Sequence, residues 1–278
     1  MSSANVALDI GVVAIDEHCV GLRWSASDRT HLARLIAIVA MGQATKAAEV
    51  IKALEPAEPD FAIDELCDEA LIVLTVQNEA ASGPRTGYPR FQRDGFMFEA
   101  ISWIAARQSI GDEAVLKLPH TSATTQGLDG LMLVVDRRGN TIRESTIFED
   151  KCTEDPRATF LSKVLPALQD RHLNKRSAEL VSTASALLSV AGFAPRDASR
   201  ESAKVLDKSV RKYRSAFAVS EDFDSEERRK FLFKRYEKIA DVRPDQRIGA
   251  CFVVDAPLRD WFDALAAEAV SYLQSLKD

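Results

Sequence analysis

Residues 127–151 read GLDGLMLVVDRRGNTIRESTIFEDK, and two β runs are visible in them. LMLVV at 131–135 is followed by DRRGN at 136–140 and then by TIRESTIFEDK. Two such runs joined by a short turn containing Gly predict a β-hairpin. Asp129 stands just ahead of the first run, between Gly127 and Gly130. Glu149 and Lys151 are two apart at the end of the second run. Strand alternation sends both to one side, their backbones about 6.5–7 Å apart, and sends Asp150 to the other. Upstream, GFMFEAISWIAARQ at 95–108 predicts a helix that Asp94 can cap. Glu99 shares a face with Phe96 and Trp103, so its carboxylate points toward or along the apolar side.

Outward from this centre, the front of the chain predicts two short strands, Asn5 to Ile15 and His18 to Trp24. Asp28 can cap a helix running toward Leu54, which EPAEPD at 55–60 stops. Ile63 to Ala81 reads as a second helix, and SGPRTGYP at 82–89 marks a loop and subdomain boundary. After Pro156, periodicity predicts helices over about 158–172, 176–191, 199–217 and 225–240. IGACFVVD at 248–255 reads as one late strand, before a helix over 257–276. The expected organisation is an N-terminal strand-hairpin plus helical region at 1–84, serving a partner or regulation. A core follows at 85–175, then a helical C-terminal region at 176–278 with one late strand.

Composition sets bounds. The 278 residues carry 36 Lys and Arg against 42 Asp and Glu, a net charge of −6, and 46% are hydrophobic. These are globular values with ample material for a core. Four cysteines lie far apart, with no CxxC, so reduced thiols in a cytoplasmic protein are expected. Met1 to Val13 lacks the pattern of a secretory signal, and no apolar run reaches the about 18 residues of a membrane span. P-loop, GxGxxG, HExxH and GxSxG motifs are absent. Charge is uneven: residues 1–84 hold 5 basic and 13 acidic side chains, residues 204–247 hold 13 and 9. Lys204, Lys208, Arg211 and Lys212 would share one side of a helix, and Arg228 and Arg229 open a second basic run. Such a strip could track a phosphate backbone. The plainer reading is a solvated helix face with interleaved acids.

The order of a helix acid, a strand acid and then Glu-x-Lys on the adjacent strand resembles that found in PD-(D/E)xK nucleases, and that resemblance implies metal-assisted phosphodiester chemistry. Mg²⁺ is a hard cation that takes oxygen ligands and keeps several waters. Asp129 and Glu149 would hold it, with a carbonyl near Asp150 as a further ligand. Glu99 would serve a second metal or orient a bound water. Lys151 would orient the water or neutralise charge developing on the phosphate. Each residue also has a plainer reading: Glu99 as the edge of an amphipathic helix, Asp129 as a turn residue. Glu149 and Lys151 could be an exposed pair worth less than about 1 kcal/mol. Gln126 could reach the site, or be a loop residue with no role. His120 has no second His nearby, and His172 reads as part of a surface basic cluster. A Glu-x-Lys triplet carries no information by itself: about two [Asp/Glu]-x-Lys triplets arise by chance from 13 Lys and 42 acids, and the chain has one. Its place at a strand end, after Asp129, is what counts.

Over residues 90–172 the chain resembles the PD-(D/E)xK nuclease superfamily, on GFMFEAISWIAA, GLDGLMLVV, STIFEDK and the helix that follows. The family's proline before the first strand acid is missing, since the local sequence is QGLDG. The resemblance implies an α/β fold with a restriction-endonuclease-like mixed sheet core and helical N- and C-terminal additions. It implies a nuclease using Mg²⁺ or Mn²⁺, with Glu99, Asp129, Glu149 and Lys151 as catalytic residues and the three acids as metal ligands. The stretch KLPHTSATTQGLDGLMLVV with STIFEDKCTEDPRATF is also similar to HamA, the nuclease subunit family of Hachiman anti-phage systems. That likeness implies a cytoplasmic defence effector acting on DNA and held by a partner helicase, HamB. A non-catalytic nucleic-acid-binding or assembly subunit with a nuclease-like fold is the alternative.

Overall fold

The computed structural model describes residues 5–78, 83–124 and 127–277. They form an α/β protein around one mixed sheet of seven strands. The strands are β1 (Leu8–Asp16), β2 (Cys19–Ala26), β3 (Ala114–Leu116), β4 (Gly130–Asp136), β5 (Thr141–Cys152), β6 (Arg211–Ser220) and β7 (Arg247–Val254). Their order across the sheet is β1-β2-β7-β6-β5-β4-β3. The 127–151 hairpin forms as expected, with β4 antiparallel to β5 and Gly130 opposite Phe148. β5, β6, β7 and β2 then run parallel to one another in turn. All three stretches of the chain, 1–84, 85–175 and 176–278, contribute strands to this sheet.

The helix expected over 199–217 is corrected. The chain makes α8 (Pro195–Glu201), two short 3-10 turns (Ser202–Leu206 and Lys208–Val210), and then strand β6. Parallel strands covered on both faces lose the alternation that marks a half-buried strand. β6 is buried continuously from Tyr213 to Val219, and its small Ser and Ala residues read as helix formers. The region therefore holds two strands, β6 as well as β7. Toward the front, the single helix expected up to Leu54 is two, α1 (Arg29–Ala40) and α2 (Ala44–Ala53). Gly42, at φ 78°, breaks it in a conformation that glycine adopts without cost. The next helix, α3 (Asp64–Leu74), is shorter than expected, and residues 79–81 lie outside the described residues.

Helices cover both faces. On one, α1, α3, α4 (Arg90–Ser109) and α10 (Leu258–Ser275) pack over Phe148, Ala216, Ala218, Ala250 and Phe252. The other face carries a helical run from Pro156 to His172, α7 (Ser177–Val190) and α9 (Glu226–Phe233). The run comprises α5 (Pro156–Thr159), a π-helical segment (Phe160–Val164) and α6 (Leu165–His172). There Phe217, Phe233 and Tyr236 each pack edge to face on Phe160, ring centroids 5.4–6.3 Å apart. The helix expected over 225–240 ends at Phe233, and Tyr236 belongs to a following 3-10 turn. Trp103 and Trp261 are core residues. Among the described residues, no helix is long and apolar enough to cross a membrane.

Candidate functional site

β5 is the strand where the antiparallel and parallel halves of the sheet meet, and its last turn of residues carries the charged cluster. Ile147 packs in one core and Phe148 in the other. Alternation therefore puts Glu149 and Lys151 on the side of α7, and Asp150 on the side of α4. Asp129 lies one residue before the Gly130–Phe148 pair, so the same register sets it across from Glu149. Close strand pairing there requires a glycine: a Cβ at Gly130 would lie 2.4 Å from the Phe148 ring.

Directly opposed carboxylates destabilise a sheet unless a cation lies between them. Lys151 supplies that cation, with Nζ 2.7 Å from Asp129 Oδ2 and 3.3 Å from Glu149 Oε2. Asp129 Oδ2 also accepts from the Asp150 backbone N–H at 2.9 Å, which ties the approach to β4 onto β5. Burial, with the Asp129 charge adding to it, pushes the Glu149 carboxyl up to about 7, and Lys151 opposes this only in part. Burial works against the Lys151 charge, but Asp129 and Glu149 outweigh it and hold the ammonium above its ordinary range. A buried carboxyl raised this far, beside a second acid and a lysine, marks a candidate functional site.

On the opposite side of β5, Asp150 is wholly buried and accepts from Ser102 Oγ at 2.5 Å and from Arg214 Nη2 at 3.2 Å. Arg214 also donates to Ser102 and lies 3.4 Å from the Phe148 ring centroid. Burial raises the Asp150 carboxyl, with Arg214 working against that rise. Asp150 and Arg214 thus anchor the strand from beneath.

Glu99, on α4, lines the same groove as Asp129 and Lys151, but its carboxylate is engaged elsewhere. It accepts from the His120 backbone N–H at 2.9 Å and from His120 Nδ1 at 3.0 Å. A carboxylate can only accept, so the ring proton sits on Nδ1 and Nε2 faces Lys117 Nζ at 3.2 Å. Burial lowers the Lys117 pKa, opposed by Glu99, Asp129 and Glu179. Nothing local announces this Glu99–His120–Lys117 chain, because Glu99 stands 18–21 residues from the other two across an aperiodic loop. Glu179 of α7, paired with the buried Arg171 at 2.8 Å, was missed for the same reason. Gln126 lies outside the described residues.

The groove itself measures about 410 Å³, between α4, the end of β5 and the start of the Pro156–His172 run. A larger hollow of about 610 Å³ lies by Asp28, Arg29 and Glu268. There Arg29 and Glu268 pair off at 2.6 Å.

Among the described residues, no group of three or more His, Cys, Asp or Glu side chains is placed to hold a metal. Asp129 and Glu149 still fit Mg²⁺ or Mn²⁺, because Mg²⁺ binds through one or two carboxylates and retains water.

The basic residues do not form one strip. Arg211 is wholly buried and spends its guanidinium on Val205 O, Arg171 O and Asn174 Oδ1. Arg229 is buried against Asp224 and Ala14 O. Lys204 donates to Thr141 Oγ1 and Lys212 pairs with Glu144, both at 2.6 Å. Lys208 and Arg228 alone of the six are exposed, on different elements. The helical strip is corrected because Arg211 and Lys212 start a central strand. Likewise His172 is buried, hydrogen-bonded to the Tyr213 hydroxyl at 2.8 Å, and not part of a surface cluster. Comparison of the chain with protein-family models, curated proteins and solved structures finds no match.

Proposed function

We propose that the chain is a metal-dependent nuclease with a restriction-endonuclease-like core that cleaves phosphodiester bonds in DNA. One observation carries the reading: the Lys151 ammonium set between the opposed carboxylates of Asp129 and Glu149, with Asp129 and Lys151 lining a groove. Asp129 and Glu149 would hold Mg²⁺ or Mn²⁺. A bound Mg²⁺ polarises a phosphoryl oxygen and lowers the pKa of its water. Lys151, kept charged by its two neighbours, offers an ammonium to negative charge developing on the phosphate. Glu99, at the groove wall, orients His120, and Asp150 with Arg214 fixes the strand that carries Glu149 and Lys151.

The test is incubation of plasmid and single-stranded DNA with Mg²⁺ or Mn²⁺ and the full chain. Wild type cleaves, and Lys151→Ala is slower by about 10²–10³-fold, the range for loss of one charge-stabilising donor. Cleavage at wild-type rate in that variant removes the site. The second reading, a non-catalytic nucleic-acid-binding subunit, is favoured by Lys151 already compensating both carboxylates; it predicts binding without turnover. The narrower proposal of an anti-phage effector held by a helicase rests on sequence resemblance. Its test is co-purification with the product of a neighbouring helicase gene and phage challenge of cells carrying both.

A further inference from the structure

Phe91 sits in the first turn of α4, lines the groove and is 57% exposed. The other aromatic residues of that helix, Phe96, Phe98 and Trp103, are buried. Lys163 also lines the groove, from the π-helical segment Phe160–Val164, a kind of helix irregularity frequent at functional sites. It is exposed and has no ion-pair or hydrogen-bond partner among the described residues. Arg259 reaches the same groove from the first turn of α10. Its Nη1 donates at 2.5 Å to Asp94, a carboxylate with no exposure that also accepts from Arg93. Arg259 is therefore held in one direction by a buried brace; its Nε lies 4.0 Å from the exposed Glu154 carboxylate, and its Nη2 makes no hydrogen bond among the described residues. The groove thus combines an aromatic face in solvent, a free ammonium and a braced guanidinium with Asp129 and Lys151.

We propose that this groove takes single-stranded nucleic acid, one unpaired base stacked on Phe91 and the flanking phosphates on Lys163 and Arg259. The proposal rests on the nuclease reading and narrows its substrate. A duplex keeps its bases stacked on one another and offers no face to Phe91. An unpaired strand does, and base–aromatic stacking tolerates any sequence because every base has a π face.

Binding is measured on the full chain with EDTA present, by fluorescence anisotropy of a labelled oligothymidine, its RNA counterpart and a duplex. The expected result is tighter binding of single strands, DNA or RNA, than of duplex. Phe91→Ala weakens single-strand binding by roughly tenfold or more, and Phe91→Tyr retains it. Lys163→Ala lowers the salt slope of log K by about 0.7, as one released counterion requires. Equal affinity for duplex, or wild-type affinity in Phe91→Ala, overturns the proposal. Cleavage by wild type but not Lys151→Ala, alongside Phe91-independent binding, removes this inference and leaves the nuclease reading. Phe91-dependent single-strand binding with no metal-dependent cleavage removes the nuclease reading and leaves the groove's ligand.

Discussion

Replacing Glu149 by Gln should stabilise the protein at alkaline pH. The folded structure raises the Glu149 carboxyl from 4.5 to about 7, chiefly by burial. Between those values the native state binds a proton that the unfolded chain releases, so stability falls as pH rises through this window. The gap corresponds to about 3 kcal/mol at 1.36 kcal/mol per tenfold change in proton affinity. This contribution is fully present below about 4.5 and lost above about 7. Gln mimics the protonated form at every pH and removes the dependence. Urea unfolding of wild type and Glu149→Gln at pH 5, 6, 7 and 8, in EDTA, reads the difference directly. The two curves should lie within about 1 kcal/mol of each other at pH 5 and separate by about 3 kcal/mol near pH 8, with the variant more stable. Mg²⁺ at a hundred times its Kd should then add about 2.7 kcal/mol to wild type at pH 8 and less to the variant. Parallel curves across the four pH values would refute the argument that burial holds the Glu149 carboxyl up to about 7.

Asp150→Asn leaves Arg214 buried without its counter-charge and should cost about 3–5 kcal/mol in urea unfolding; an unchanged midpoint refutes the anchoring role. Arg211→Met orphans the carbonyls of Val205 and Arg171, at about 1–3 kcal/mol each. Because a buried cation releases no counterions, the salt slope of DNA binding should stay as in wild type, and a shallower slope would return Arg211 to the nucleic-acid surface.

The hairpin, the order of acids and the Glu-x-Lys pair were legible because they depend on period-2 alternation within 25 consecutive residues. β6 was not. Its sides are both covered, so RKYRSAFAVS shows no polar face, and its Arg211 and Lys212 fell by chance at helical spacing from Lys204 and Lys208. The start of α4 was misread in a related way. Asp94 looked like a cap at the edge of the helix, whereas Pro89 precedes the helix and Asp94 is a buried acid inside it, holding Arg93 and Arg259. Nothing local distinguishes a capping Asp from one that is satisfied by an arginine 165 residues away. The His120 contact with Glu99 was hidden for the same reason.

The parallel pairing of β2 with β7, Val20 against Ile248, has a consequence for biosynthesis. At ribosomal rates of about 5–20 residues per second, the first hairpin waits roughly 11–45 s for the strand that will lie beside it. During that interval its inner edge is an open template for wrong partners, a task for chaperones. Arg259 emerges later still, so the groove gains its braced cation only after β7 has been made and can lie beside β2.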